Sequence, residues 1–268
     1  MNKIILITGA TDGIGLETAK RLYAEGHTLL LHGRNAEKLA ATEATLAKGT
    51  GTGRIYTYNA DLSRLAEVDT LADAIVKGHD RLDVLINNAG VMRVPETITR
   101  DGLDVRFAVN TIAPYLLTRR LMPLMGPGSR VVNLSSAAQA PVELDALTGE
   151  KRLLDDMPAY AQSKLALTMW NNALATSLGS RGPAFIAVNP GSLLASKMVK
   201  EGFGIAGKSL SIGADVLTRA ALSDEFANAS GLYFDNDKGS FAPPHPDALN
   251  NQKCRAIVEV IDRILGSL

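Results

Sequence analysis

Two hydrophobic periods share the 268-residue chain. The short apolar runs "KIILIT" (3–8), "HTLLLH" (27–32), "LDVLINN" (82–88), "SRVVNLSS" (129–136) and "AFIAVNP" (184–190) read as strands covered on both faces. "RIYTYN" (54–59) and "GLYFD" (231–235) complete the strand set. Between them helical segments are predicted at about Gly13 to Glu25, at 35–48, at 63–78 with Ser63 as N-cap, at about 101–125 and at 158–179. Near the C-terminus, Ala256, Ile257, Val260, Ile261 and Ile264 recur at helical spacing and predict a helix packed on the core.

No repeat or linker interrupts this alternation. It predicts one α/β domain over residues 1–268, a doubly wound parallel sheet of about seven strands with helices on both faces. Two segments depart from the pattern: a polar, irregular insert at 139–157 and a glycine-rich stretch at 192–215 that could fold over a site. Both leave the carboxyl ends of strands, where such sheets bind ligands, so both are candidate pocket walls.

Charge and cysteine narrow the class. Twenty-eight basic and 28 acidic side chains balance, which argues against nucleic acid as the main partner. The lone Cys254 cannot form an intrachain disulfide and fits a reducing compartment. The apolar run Ile4 to Ile7 is too short for a signal segment or a membrane span, and no other run reaches membrane length. The expectation is a soluble, cytoplasmic protein without a membrane partner. His27, His32, His79 and His245 are scattered, so no metal is expected.

"TGATDGIG" (8–15) lies between the first strand and the first helix. Gly9, Gly13 and Gly15 would permit a tight turn and close approach of a diphosphate, and the helix N-terminus offers free N–H groups to it. The spacing differs from the usual G-x-G-x-x-G, so alone it also suits a turn with no ligand. The turn resembles the T-G-x-x-x-G-x-G of the short-chain dehydrogenase/reductase family. "NNAG" (87–90), "VN" ending at Asn110, "NLSS" ending at Ser136, "YAQSK" and "NPG" (189–191) are similar to further motifs of that family, in the same order. The resemblance covers nearly the whole chain and implies a Rossmann fold, a nicotinamide dinucleotide and an alcohol–carbonyl oxidoreductase. It implies cofactor contacts from Gly9, Thr11, Asp12, Gly13, Ile14 and Gly15 in the turn, and from Asp61 and Leu62 beside the adenine. Asn88, Ala89 and Gly90 follow along the ribose path, then Pro190, Gly191 and Leu193 after the sixth strand.

Gly33 stands where NAD-binding members carry an acid, and Arg34 follows. A guanidinium suits a 2′-phosphate, so NADP is expected rather than NAD, against the plainer reading of Arg34 as a solvated charge. Asp12 argues mildly the other way, or caps the first helix.

In "PAYAQSK" (158–164), Tyr160 and Lys164 stand four apart, which places them on one helix face. A nearby ammonium and a helix N-terminus both favour the phenolate, so Tyr160 is expected to be drawn towards the working pH. The resemblance implies that Tyr160 moves a proton at a carbonyl oxygen held by Ser136. It also implies that Lys164 activates Tyr160 and binds the nicotinamide ribose, and that Asn110 orders a water. Taken singly, these residues also read as a helix face, a strand-end hydroxyl and a backbone-binding Asn. Ser135 competes with Ser136, since adjacent strand residues point to opposite faces.

The insert, with "TRDGLDVRFAVNTIAPYLLT" (99–118), is similar to the retinol-dehydrogenase-like branch and implies a fairly apolar alcohol or carbonyl substrate. In the glycine-rich stretch, Leu193, Leu194, Met198, Val199 and Phe203 either pack on the sheet or line a pocket under a lid. Ser196 takes the place of the family's Thr, and Lys197 departs from the neutral residue expected near the cofactor amide. Relatives pair their long helices, here about 101–125 and 158–179, which implies a homodimer or homotetramer. The alternative function is a cofactor-binding sensor on the same fold without turnover.

Overall fold

The computed structural model describes residues 2–49 and 51–267, with the side chain of Phe203 outside the description. β1 (Ile4–Ile7), α1 (Gly13–Ala24), β2 (Thr28–Gly33), α2 (Ala36–Ala47), β3 (Ile55–Asn59), α3 (Leu65–Gly78) and β4 (Val84–Asn87) alternate through the first third of the chain. After β4 come α4 (Val105–Phe107), a π-helical turn (Ala108–Ile112) and α5 (Ala113–Leu121). β5 (Arg130–Leu134), α6 (Leu144–Leu147), α7 (Asp156–Leu178), β6 (Ala184–Asn189), α8 (Lys197–Phe203), α9 (Leu210–Leu222), β7 (Leu232–Asp235), β8 (Ser240–Phe241) and α10 (Asn251–Gly266) follow.

Among the described residues the strands form one eight-stranded sheet in the order β3-β2-β1-β4-β5-β6-β7-β8. The first seven run parallel, as the alternation predicts. The eighth is a two-residue strand antiparallel to β7, too short to show a period in sequence. Strand residues alternate between two apolar layers. Ile5, Ile7, Val84 and Ile86 face the α1, α2 and α9 side, while Leu6, Leu85 and Val131 face the α3, α5, α7 and α10 side.

Three local expectations change. Ser63 does not cap α3; the helix starts at Leu65, and the Ser63 hydroxyl donates to Asp61 instead (2.8 Å). The stretch 101–125 is continuously helical from Val105 to Leu124, but it carries a π turn (Ala108–Ile112) that holds Asn110. The insert 139–157 is partly ordered by α6 and by the first turn of α7. That first turn is anchored by Arg106, which is 0% exposed. Its guanidinium donates to Asp104 (2.8 and 2.6 Å) and to Asp156 at the head of α7 (2.7 Å). A buried arginine is tolerated only when paired in this way.

The helices expected to pair between subunits are covered from within the chain. α10 packs along α7, with Ile257, Val260, Ile261 and Ile264 in the cluster that holds Trp170 and Leu174. The Tyr115 hydroxyl on α5 donates to Asp262 on α10 (2.8 Å), and α3 packs along the same α5. Subunit pairing across 101–125 and 158–179 would have to displace α10. No helix among the described residues is long and apolar enough to cross a membrane.

Candidate active site

The strand order reverses direction between β1 and β4, and there a cleft of about 920 Å³ opens along the carboxyl ends of the strands. Every residue singled out in the sequence for cofactor or catalysis lines this cleft, except Gly15 and Asn110.

The glycine turn forms one edge. Gly15 lies beneath it rather than on the cleft wall: an added Cβ would collide with the Gly9 carbonyl and the Asn88 amide. Asn88 Nδ2 donates to the Thr8 and Gly9 carbonyls (2.8 and 3.1 Å), which ties the β4 loop to the turn. His32, which carries no motif, also reaches the turn. Its Nδ1 accepts from the Gly9 N–H (3.4 Å), and its Nε2–H donates to the Ala60 carbonyl (3.0 Å). Acceptance at Nδ1 needs the neutral ring, and burial draws its pKa down to about 4 although the Ala60 bond opposes this. Asp12 caps α1, accepting from the Gly13 N–H (2.7 Å). Arg34 is exposed at the end of β2 and makes no ion pair among the described residues. Asp61 accepts from the Ser63 N–H and hydroxyl, which shapes the loop beside Leu62.

The opposite edge is α7. Lys164 Nζ lies 5.7 Å from the Tyr160 ring centroid and donates to the Leu134 carbonyl (2.7 Å). Lys164 is 4% exposed, and burial lowers its pKa to about 8. Tyr160 sits deep among protein atoms yet opens onto the cleft. The expectation that Tyr160 is drawn towards neutral pH is corrected by the structure. Burial pushes the phenol up, and the neighbouring Ser136 hydroxyl only partly offsets it. Desolvation of a phenolate outweighs a lysine held over the ring and turned to a backbone carbonyl.

The two serines separate cleanly. Ser135 is buried, with its hydroxyl bonded to Thr168 on α7 (2.7 Å). Ser136 is partly exposed on the cleft, and its Oγ accepts from the Ala138 N–H (3.1 Å). Asn110 stands behind the cleft. Its Oδ1 accepts from the Val91 N–H (2.8 Å), and its Nδ2 donates to the Val91 carbonyl (2.8 Å) and to Ser163 Oγ (2.9 Å). Both amide protons are thereby used, so the side chain pins the β4 loop to α7. Gly90 keeps the floor open: an added Cβ there would lie 3.4 Å from Lys164 Nζ.

The stretch 192–215 crosses the cleft. Its base is tied by the Ala195 N–H to the Lys208 carbonyl and the Lys208 N–H to the Leu193 carbonyl, both 2.7 Å. Leu193 takes a left-handed backbone (φ 57°), the one positive φ at a non-glycine among the described residues. Ser196 caps α8, its Oγ accepting from the Val199 N–H (3.3 Å). An added Cβ on Gly13 would stand 3.9 Å from the Ser196 Cβ, so α8 begins opposite the glycine turn. Lys197 lines the cleft and its ammonium pairs with Glu201 (3.5 Å). Arg93 joins lid and walls, donating to the Glu201 carbonyl (3.1 Å) and to Asp156 (3.2 Å). Gly202 packs so closely on Met92 that a Cβ would collide with the thioether. Leu194 is buried, Met198 and Val199 line the cleft, and the Phe203 side chain lies outside the described residues.

The rest of the wall was not legible as motif. Val94, Val105 and Val109 add apolar surface from the β4 loop and the start of the helix that carries the π turn. Of the insert 139–157, only Met157 lines the cleft. Among the described residues no group of three His, Cys, Asp or Glu is placed to hold a metal. The cleft fits a phosphorylated dinucleotide. It has a glycine turn at a helix N-terminus, an arginine at the end of β2 that makes no ion pair among the described residues, and a buried lysine at the far end beside a tyrosine.

Comparison with known proteins agrees with this architecture. The family model described as short chain dehydrogenase matches residues 3–204. Human retinol dehydrogenase 13 is 32% identical over 282 aligned residues, covering 98% of this chain and 85% of that protein. An uncharacterised protein from Mycobacterium paratuberculosis superposes with a TM-score of 0.80 at 26% identity, covering 98% of this chain and 92% of that one. A short chain dehydrogenase from Burkholderia cenocepacia, solved in complex with NADP, has a TM-score of 0.68 at 27% identity, covering 87% and 95% of the two chains. The motifs, the sheet order and these likenesses have one reading: the chain belongs to the short-chain dehydrogenase family of oxidoreductases.

Proposed function

We propose that this chain is an NADP-dependent oxidoreductase that interconverts an alcohol and its carbonyl on a fairly apolar small molecule, in the cytoplasm. The observation that carries this reading is the convergence of Tyr160, Ser136 and Lys164 on the cleft that also holds the glycine turn and Arg34. The NADP complex of the Burkholderia protein and the retinol dehydrogenases among the relatives support it. The glycine turn, Arg34 and Asn88 to Gly90 would hold the dinucleotide, with Pro190, Gly191 and Leu193 closing on it. When bound, NADP supplies the hydride donor or acceptor.

The chain's own residues handle the proton. Tyr160 keeps its phenolic proton at neutral pH, as a donor to a carbonyl oxygen must. Ser136 Oγ already accepts from the Ala138 N–H, so its own hydrogen is free to hold the same oxygen. Lys164, with a pKa near 8, places a positive charge beside the phenol that favours the phenolate once the proton has left. Alcohol oxidation is the reverse. Val94, Val105, Val109 and Met157 exclude water and select apolar substrates.

A screen of apolar ketones and aldehydes, read by loss of NADPH absorbance, tests the proposal. Turnover should appear with some of them, and Tyr160→Phe should lower kcat by at least ~10²-fold while NADPH binding persists. NADPH binding with no turnover on any carbonyl would favour the sensor reading.

A further inference from the structure

One backbone carbonyl beside the cleft is held from two sides by side chains. The Ser136 carbonyl, just past the end of β5, accepts from the Tyr233 hydroxyl on β7 (3.0 Å) and from Gln139 Nε2 (2.9 Å). Neither donor lines the cleft. Tyr233 is 6% exposed. Gln139 is itself fixed, since its Oε1 accepts from the His245 N–H (3.1 Å) and its Nε2 also reaches Ser135 Oγ (3.4 Å). Two donors arriving from different elements leave the peptide plane after Ser136 little freedom. The Ala138 N–H then takes one lone pair of Ser136 Oγ, and only the hydroxyl hydrogen remains to be aimed.

The same strand end also holds the other side of the cleft. Asp235, two residues beyond Tyr233, accepts from Asn189 Nδ2 (2.9 Å). Asp237 accepts from Asn189 Nδ2 and from the Ser192 N–H, both at 2.9 Å. The carboxyl end of β7 thus sets the serine loop and the Pro190–Gly191 loop against each other.

We propose that Tyr233, together with Gln139, is a positioning residue for the reaction: it fixes the Ser136 loop so that the Ser136 hydroxyl and the Tyr160 phenol meet at one substrate oxygen. This rests on the function proposed above. Burial and nearby carboxylates push the Tyr233 phenol well above its ordinary range, so it keeps its proton at neutral pH. Ser136 is the group that moderates the acidity of Tyr160, so its placement is visible in the Tyr160 titration without any substrate.

The experiment compares Tyr233→Phe, Ser136→Ala and the double variant, each as the full chain. Tyr233→Phe keeps the ring and removes one donor. It should lower kcat by roughly ten- to a hundredfold, with NADPH affinity and melting temperature close to wild type. In the Ser136→Ala background it should cost nothing more. In parallel, ¹³C-tyrosine NMR follows the Tyr160 resonance among the six tyrosines, assigned with Tyr160→Phe. Its ionisation should move to higher pH in Tyr233→Phe, matching Ser136→Ala, with no further shift in the double variant. If Tyr233→Phe fails to fold, Gln139→Leu removes the other donor and should give the same pattern. Equal losses in both backgrounds, or an effect of Ser136→Ala that Tyr233→Phe does not share, would overturn the proposal. Turnover and a Tyr160 titration both indifferent to Ser136→Ala would overturn it too, by removing the serine from the function proposed above. A protein that binds NADPH, shows the NMR coupling and turns over no carbonyl would uphold the positioning and sink the activity.

Discussion

Arg34 and His32 sit at the same end of β2 and answer to different physics. Arg34 is exposed and makes no ion pair among the described residues, so its worth depends on a ligand bringing an anion. Wild type should bind NADPH more tightly than NADH. Arg34→Glu should lower that ratio by at least about tenfold, because a charge-assisted bond is lost and a repulsion gained. Titrating both cofactors by fluorescence checks this, and a wild-type preference for NADH would end the NADP assignment. His32 is buried and needs no ligand to matter. Its folded pKa of about 4 lies below the ordinary 6.5. The folded protein therefore keeps its full stability above pH 6.5 and loses it as pH falls towards 4, by on the order of 3 kcal/mol. His27 and His79 are shifted the same way, so the test is a difference. His32→Gln cannot titrate, and its urea midpoint should fall less between pH 6.5 and 4 than wild type's. At this scale the sequence identified residue types well and environments poorly. Tyr160 and Lys164 were legible from four-residue spacing, but the upward push on Tyr160 comes from burial that no spacing records.

At the scale of elements, the strands were legible because their apolar runs are local and continuous. The stretch 101–125 was legible as helix, but the π turn inside it was not. Asn110 must satisfy Val91 and Ser163 at once, and the π turn is the backbone arrangement in which it does so. The lid shows the same limit. Glycines marked it in sequence, while Arg93, which ties α8 to the head of α7, carried no signal. Arg93→Ala should leave α8 held mainly by Met92 and by the ladder at Leu193 to Lys208. Trypsin should then cut at Lys197, Lys200 or Lys208 several-fold faster than in wild type, and NADPH should slow cleavage in both proteins. Cleavage unaffected by NADPH would count against a lid.

At the scale of the whole molecule, α10 decides how the chain meets other copies of itself. The α5 and α7 faces that would pair between subunits already bury Tyr115, Trp170 and Leu174 against α10 and its neighbours. Light scattering should therefore give the mass of a single chain at micromolar concentration; a stable dimer mass would show that a different surface pairs. The amphipathic α10 was predicted from its spacing, but spacing does not say which surface an apolar stripe covers.

The sequence by itself determined the sheet and its helices, the glycine turn, and the order in which Ser136, Tyr160 and Lys164 enter the cleft. The elements are written in nearest neighbours, in periods of two and of about four residues, while the three site residues were read from the family resemblance. Tertiary structure alone decided that the Ser135 hydroxyl turns to Thr168, that His32 stays neutral beneath the turn, and that Arg106 anchors the head of α7. It also decided that Tyr233 and Gln139 hold the Ser136 carbonyl and that α10 closes the helical face. Each of these depends on desolvation or on a contact between residues far apart in the chain, and such energies exist only once the chain has closed on itself.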